Sequence, residues 1–92
     1  MTEDTISELE KKVNENPKNA INWLALIEAQ LSAGLEMRIV GNTFLKAVKA
    51  NPAHDEIYFL ALEALDGFDV DNIIAEIKEI RETEMNKPRG IL

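Results

Sequence analysis

The chain of 92 residues contains no cysteine and only one histidine. The absence of cysteine excludes a disulfide framework and a thiolate metal site. The single histidine, His54, follows a proline at a predicted helix start, where we expect it to be exposed and without a role. The sequence also lacks a glycine-rich phosphate loop and a cluster of metal ligands. These absences predict a protein that is not an enzyme and that holds no cofactor and no metal.

The chain also lacks a long apolar run and an excess of basic residues. Its acidic start, residues 1–4, argues against a signal peptide, and we expect no membrane-spanning helix and a cytoplasmic protein. Ten Lys and Arg stand against 17 Asp and Glu, which gives a formal net charge of −7. Nucleic acids and anionic lipids attract basic surfaces, so we predict no direct nucleic-acid binding and no membrane binding. Basic or hydrophobic protein segments are the favoured partners, although the charge would equally serve to keep a small protein soluble.

A short pattern, Lys-x-Val-x-x-Asn-Pro, occurs twice in the chain, 35 residues apart, at residues 11–17 and 46–52. The similarity continues beyond each proline with the pairs Trp23-Leu24 and Tyr58-Phe59, and Glu28-Ala29 and Glu63-Ala64. A period of this length predicts stacked structural repeats. Stacked-repeat proteins present extended surfaces that bind other molecules.

Apolar spacing and helix-ending residues predict an all-α fold of five antiparallel helices, because no segment alternates with a period of two. Asn-Pro pairs end the first and third helices, and glycines end the second and fourth. The helices are expected at residues 3–14, 19–33, 36–50, 54–65 and 70–84. Residues 1–84 would form a single domain. Residues 85–92 would form a flexible tail or, alternatively, a linear docking motif.

Four local features follow from individual residues. Thr5 and Glu8 are expected to form a capping box at the first helix, and Asp69 to cap the fifth. Gly41 lies inside the third helix, where glycine costs roughly 1 kcal/mol relative to alanine. We therefore expect it to permit the close approach of another helix. Trp23 leads the apolar stripe of the second helix and is expected in the core.

The repeated unit runs from Asn-Pro to an aromatic residue six positions later, then through a helix, a glycine and a second helix. This order resembles a tetratricopeptide (TPR) hairpin, most closely the half-a-TPR (HAT) variety. Trp23 matches the tryptophan of the family's first helix, and Phe44 the aromatic position of the second. Leu26 and Gln30 depart from the tyrosine and glutamate that are common there. The resemblance covers about residues 6–82 and implies about two and a half hairpins, stacked right-handed.

The resemblance also implies a binding surface, because the first helix of each hairpin lines the concave side. Its outward positions would be Ile21, Leu24, Glu28, Leu31, Glu56, Phe59, Glu63 and Asp66. Ile21 and Phe59 also fall outside the apolar stripes of their own helices, and Phe59 lies among carboxylates. A basic amphipathic segment would suit such a surface, with apolar anchors in a groove and Lys or Arg facing the acids. Alternatively, both residues pack on a neighbouring helix or on the tail, or they form a homodimer.

Together these features predict a non-enzymatic protein–protein interaction module that acts as an adaptor or assembly factor. Two alternatives stay open. The first is a small acidic antagonist that occupies a basic nucleic-acid-binding surface of its target. It would use the carboxylates of the fifth helix, Glu76, Glu79, Glu82 and Glu84. The second is a subunit of an RNA-processing scaffold, the setting in which HAT proteins mostly occur.

Overall fold

The computed structural model describes residues 2–88, with side chains from Thr5 onward. Every regular element in that part of the chain is an α-helix. The helices are α1 (Thr2–Glu15), α2 (Ala20–Ser32), α3 (Met37–Ala50), α4 (Asp55–Leu65) and α5 (Asp71–Met85). The predicted all-α class with five helices is confirmed, and each predicted helix end lies within one residue of the observed one. None of these helices is both long and apolar enough to cross a lipid bilayer.

The helices form two layers. Each packs against the next along the chain, and α3 also packs directly on α5. The shortest extent of the molecule, measured over its Cα atoms, is 16 Å. This extent accommodates two layers of helices whose axes are about 8–10 Å apart. This arrangement places α1, α3 and α5 in one layer and α2 and α4 in the other.

The two Asn-Pro turns have the same backbone hydrogen bonds. The N–H groups of Asn16 and Asn51 each donate to the carbonyl four residues earlier, at 2.9 Å. Three residues later, the N–H groups of Asn19 and His54 each donate back to the asparagine carbonyl, at 3.1 Å. The period found in the sequence is therefore also present in the backbone of the turns.

The residues that cap the helices after these turns also stand 35 positions apart. The Asn19 side-chain oxygen accepts from the backbone N–H groups of Ile21 and Asn22, at 3.0 and 3.3 Å. His54 Nδ1 accepts from the backbone N–H of Ile57 at 3.3 Å. Each cap satisfies N–H groups that lack a partner inside the helix. The expectation that His54 has no role is wrong, because it caps α4.

The turns are also bonded to each other and to the core. The Pro17 carbonyl accepts from Trp23 Nε1 at 2.8 Å and from Asn51 Nδ2 at 2.9 Å. Lys18 Nζ donates to the carbonyl of Ala50 at 3.0 Å. Trp23 is buried, as predicted, and its one polar atom is satisfied by the turn that precedes it.

The core lies between the two layers and is almost wholly apolar. Its buried members are Val13, Trp23, Leu26, Ile27, Val40, Phe44, Ala47, Val48, Ile57, Ala61, Leu65, Val70, Ile73 and Ile77. Two polar residues, Gln30 and Thr43, are buried with them. Thr43 Oγ1 donates to the carbonyl of Ile39 at 3.2 Å, whereas Gln30 Oε1 has no hydrogen-bond partner among the side chains and backbone that the structure describes. Gln30 is therefore a weak point in the packing of α2.

At Gly41, a side chain of α5 packs directly on the backbone of α3. A Cβ built on Gly41 would lie 3.1 Å from Cδ1 and 3.4 Å from Cγ2 of Ile73, and 3.6 Å from Cδ2 of Leu65. The favourable separation of carbon atoms is about 3.5–4.0 Å, so a methyl group would be crowded there. The predicted close approach of another helix at this glycine is confirmed.

At the helix ends, glycine correctly predicted two helix stops, whereas the two predicted N-terminal caps were wrong. Gly34 and Gly67 follow α2 and α4 with φ of 73° and 86°, a conformation that favours glycine. The predicted capping box is wrong, because α1 begins at Thr2, before Thr5 and Glu8. Asp69 is not the cap of α5 either, since Val70 holds that position.

The predicted tail at residues 85–92 lies only partly within the described chain. Met85 is the last residue of α5, and residues 86–88 follow it outside any helix. Lys87 Nζ lies 3.1 Å from Glu84 Oε1. Residues 89–92, which carry the rest of the predicted tail or docking motif, lie outside the described residues.

Candidate partner-binding groove

A groove of about 210 Å³ lies between α2 and α4. Its lining consists of Leu24, Ile27, Glu28 and Leu31 from α2, with Glu56 and Leu60 from α4. The α2 residues are spaced three and four positions apart and so share one face of the helix. The α4 pair is spaced four positions apart for the same reason. The groove is thus formed by the facing sides of two neighbouring helices in one layer.

The groove has an apolar floor and an acidic rim. Ile27 is fully buried, while Leu24 and Leu60 are half-buried against the core. Glu28 on α2 and Glu56 on α4 are exposed. Neither carboxylate belongs to an ion pair within residues 5–88. The groove therefore offers an apolar side chain a place to pack and offers its basic neighbours two carboxylates.

Four of the eight predicted binding residues line this groove: Leu24, Glu28, Leu31 and Glu56. The other four lie outside its lining: Ile21, Phe59, Glu63 and Asp66. Ile21 is 75% exposed and Phe59 is 59% exposed, so neither is buried against another helix of the described chain. The eight residues lie on the α2–α4 layer, but they do not converge on one groove.

Two groove residues, Ile27 and Leu60, were not among the predicted binding residues. Both belong to apolar stripes, and apolar spacing alone assigns such residues to the core. The assignment to the core is correct, because Ile27 is a buried core residue and Leu60 packs against the core. Their role in the groove depends on the spacing between α2 and α4, which is a property of the packed helices.

Phe59 lies on α4 beside two other side chains with π or cationic character. Its ring centroid is 5.2 Å from that of Tyr58, in an edge-to-face arrangement. The Arg81 guanidinium lies 4.8 Å from the Tyr58 centroid and 5.9 Å from that of Phe59. Such contacts contribute about 0.5–1 kcal/mol at exposed sites. Phe59 is thus positioned by α5 without being covered by it.

Arg81 joins α5 to the turn before α4. Its Nη2 donates to Asp55 Oδ1, and its Nη1 lies 3.5 Å from the carbonyl of Pro52. The Arg81 side chain is only 12% exposed, whereas that of Asp55 is 71% exposed. The carbonyl of Pro17, at the matching place in the first turn, is bonded instead by Trp23 Nε1. Because Tyr58 carries no ring N–H, Arg81 supplies the donor in the second turn.

A wider cleft of about 600 Å³ lies where the two Asn-Pro turns meet α5, and it includes Lys18, Lys49 and Lys87. Each of these ammonium groups already has a carbonyl or carboxylate oxygen within 4.0 Å. The cleft is therefore a weaker candidate for anion binding than its lysines suggest. No group of His, Asp and Glu side chains within the described chain is arranged to hold a metal ion.

No protein-family model, curated protein or solved structure matches this chain. The case for its function therefore rests on the geometry of its own residues.

Proposed function

We propose that this protein is a non-enzymatic interaction module of the tetratricopeptide type, most similar to the HAT variety. It acts as a cytoplasmic adaptor or assembly factor by binding a basic amphipathic segment of a partner protein on the α2–α4 layer. The observation that supports this proposal most strongly is the groove between α2 and α4. It combines an apolar floor with exposed, unpaired carboxylates on both walls.

The size of the groove favours a protein segment over a small molecule. Small-molecule sites usually measure about 300–1,000 Å³ and enclose most of their ligand. At about 210 Å³, this groove is smaller than that range. It accommodates individual side chains of a longer ligand that continues beyond the groove on both sides.

The groove alone supplies only part of the binding free energy. One buried apolar side chain contributes about 2 kcal/mol, and two exposed ion pairs add about 0.5 kcal/mol each. The sum, about 3 kcal/mol, is less than the roughly 4 kcal/mol that corresponds to a millimolar dissociation constant. The partner must therefore also contact exposed residues beside the groove, and Ile21, three positions before Leu24 on α2, is a large exposed apolar residue there.

Charge reversal tests the groove directly. The probe is a synthetic amphipathic peptide with leucines at i and i+4 and lysines on either side of them, measured by calorimetry at moderate salt. The double variant Glu28→Lys/Glu56→Lys should weaken binding about tenfold, because both walls of the groove would repel the lysines. The control, Glu79→Lys/Glu82→Lys on α5, changes the net charge equally and should weaken binding less than threefold.

The same pair of variants separates this proposal from the acidic antagonist. That alternative relies on α5, where Glu76, Glu79 and Glu82 are exposed. It requires the α5 variant to lose at least as much affinity as the groove variant, a result that would contradict our proposal. The RNA-processing scaffold stays a prediction from the family resemblance. Tight binding of RNA by the isolated chain would contradict all three interpretations.

A further inference from the structure

Three of the four residues on the α2 wall of the groove have similar residues on α4, 35 positions later, whereas the fourth changes from leucine to aspartate. Leu24, Ile27, Glu28 and Leu31 correspond to Phe59, Leu62, Glu63 and Asp66. The two sets share a pattern in which a large apolar residue comes first, an aliphatic residue follows after three positions and a glutamate comes next. The chain thus repeats one wall of its groove.

The second wall faces away from the first groove. At 100° per residue, Phe59, Leu62 and Asp66 lie on one flank of α4, and the groove residues Glu56 and Leu60 lie on the other. The buried residues Ile57, Ala61 and Leu65 lie between the two flanks. Glu63 lies about 20° from Glu56 around the helix, on the exposed ridge between the two flanks. We call the surface formed by Phe59, Leu62 and Asp66, with Glu63 at its edge, the outer flank of α4.

No described helix covers the outer flank. The next helix, α5, packs on α3 and α4 from the other layer. Phe59 is 59% exposed, Leu62 is only partly buried, and Glu63 and Asp66 are exposed. The first groove has α4 as its second wall, whereas the outer flank has no second wall within residues 5–88.

We infer that the outer flank is half of a second groove, which an amphipathic helix of a basic partner protein completes. The partner helix would lie next to α4 in the same layer, in the way that α4 lies next to α2. It would pack on α5, in the way that α4 packs on α3. The inference rests on the proposed function and names a second binding surface on the same layer.

Charge identifies the occupant as a partner rather than a second copy of this chain. In a symmetric pair the outer flank would face its own copy, so Glu63 and Asp66 would be brought close to a surface that carries the same two carboxylates. Each copy also carries a formal net charge of −7. A helix with Lys or Arg opposite these carboxylates would be attracted instead.

The flank is not uniform along α4, and this predicts the orientation of the partner's side chains. At the N-terminal end, Arg81 lies 5.9 Å from the ring of Phe59 and is already paired with Asp55, so the Asp55 carboxylate is not available to a cation of the partner. Towards the C-terminal end, Glu63 and Asp66 are exposed without an ion pair among the described residues. The partner helix should therefore place an apolar residue on Phe59 and basic residues toward Gly67.

The chain supplies a template for a probe, because α4 already fills the equivalent place beside α2. A peptide of residues 53–66 with Asp55, Glu56 and Glu63 all replaced by lysine keeps the apolar face of that helix. Glu56 shares the first groove with Glu28, so a lysine at that position would face Glu63 on the outer flank. A scrambled peptide of the same composition is the control ligand.

The test measures binding of this peptide to three forms of the full chain. We expect Phe59→Ala/Glu63→Lys to weaken binding about tenfold or more, because interface aromatics commonly dominate affinity. The control variant Ile39→Ala/Glu79→Lys changes the net charge equally on the other layer, away from both surfaces, and should stay within threefold of the wild type. All three forms should remain folded, and the Tm of the outer-flank variant should fall by only a few degrees, because the contacts of Phe59 contribute about 0.5–1 kcal/mol.

Three results would overturn the inference. One is equal affinity of the outer-flank variant and the wild type, and another is an equal loss of affinity in the outer-flank variant and the control variant. In both cases the proposed function would survive if the leucine–lysine peptide still bound the groove. The third is a dimer in sedimentation that Phe59→Ala dissociates, because a second copy would then cover the flank.

Discussion

In the variant Gly41→Ala, a gain in helix propensity is opposed by crowding of the added methyl group against one atom of Ile73. In an open helix this change would stabilise the protein by about 1 kcal/mol. Here the added Cβ would lie 3.1 Å from Ile73 Cδ1, and Ile73 is 5% exposed, so the surrounding core limits its movement. Overpacking of a core costs about 1–3 kcal/mol. We therefore expect a net loss of about 1 kcal/mol, which lowers Tm by about 4–8 °C in a domain of this size.

Urea denaturation of Gly41→Ala, Ile73→Val and the double variant measures this effect. Ile73→Val removes the Cδ1 atom that the new methyl group would crowd, and alone it costs about 0.5–1.5 kcal/mol. The double variant should lose less than the sum of the two single variants, because the crowding is relieved. A rise in the free energy of unfolding for Gly41→Ala, or simple additivity in the double variant, would refute the close approach of α5.

Three further changes test the core, the α4–α5 link and the caps by the same denaturation assay. Gln30→Leu should stabilise the chain by about 1 kcal/mol, because it removes a buried acceptor that lacks a partner among the described residues. Leucine already occupies the matching position 35 residues later, at Leu65. A loss of stability would show that the amide has a partner. Arg81→Ala should lower the free energy of unfolding by about 1–2 kcal/mol, because it removes the bonds to the Pro52 carbonyl and to Asp55. Arg81→Lys should lose more than half as much, because lysine lacks the planar guanidinium that bonds both oxygens at once. Full stability in Arg81→Lys would show that charge alone matters. Asn19→Ala and His54→Ala should each cost about 1 kcal/mol as lost N-caps, and a neutral His54→Ala would rule out its capping role.

The sequence predicts the helices well because their ends depend on single residues. Proline and glycine stop helices through their own backbone restrictions, which act regardless of the fold. Thr5 and Asp69 failed as predicted caps for the opposite reason. Several residues near a helix start have capping side chains, and tertiary contacts decide which one the helix begins at.

The exposed residues of the α2–α4 layer could be predicted from the sequence, but their grouping into separate surfaces could not. Helical spacing correctly placed Ile21 and Phe59 outside the core, as their exposure of 75% and 59% shows. It did not separate the two flanks of α4, because that requires knowing which side α2 occupies. The predicted set therefore mixed residues of the groove with residues of the outer flank.

The carbonyl of Pro17 has a consequence for how the molecule unfolds. Proline lacks an N–H, so this oxygen is the only backbone hydrogen-bonding group of the residue. It accepts from Trp23 within its own hairpin and from Asn51 in the following turn. Opening of the first turn would therefore also break a bond to the second turn, so hydrogen exchange should show that the opening of the two turns is coupled.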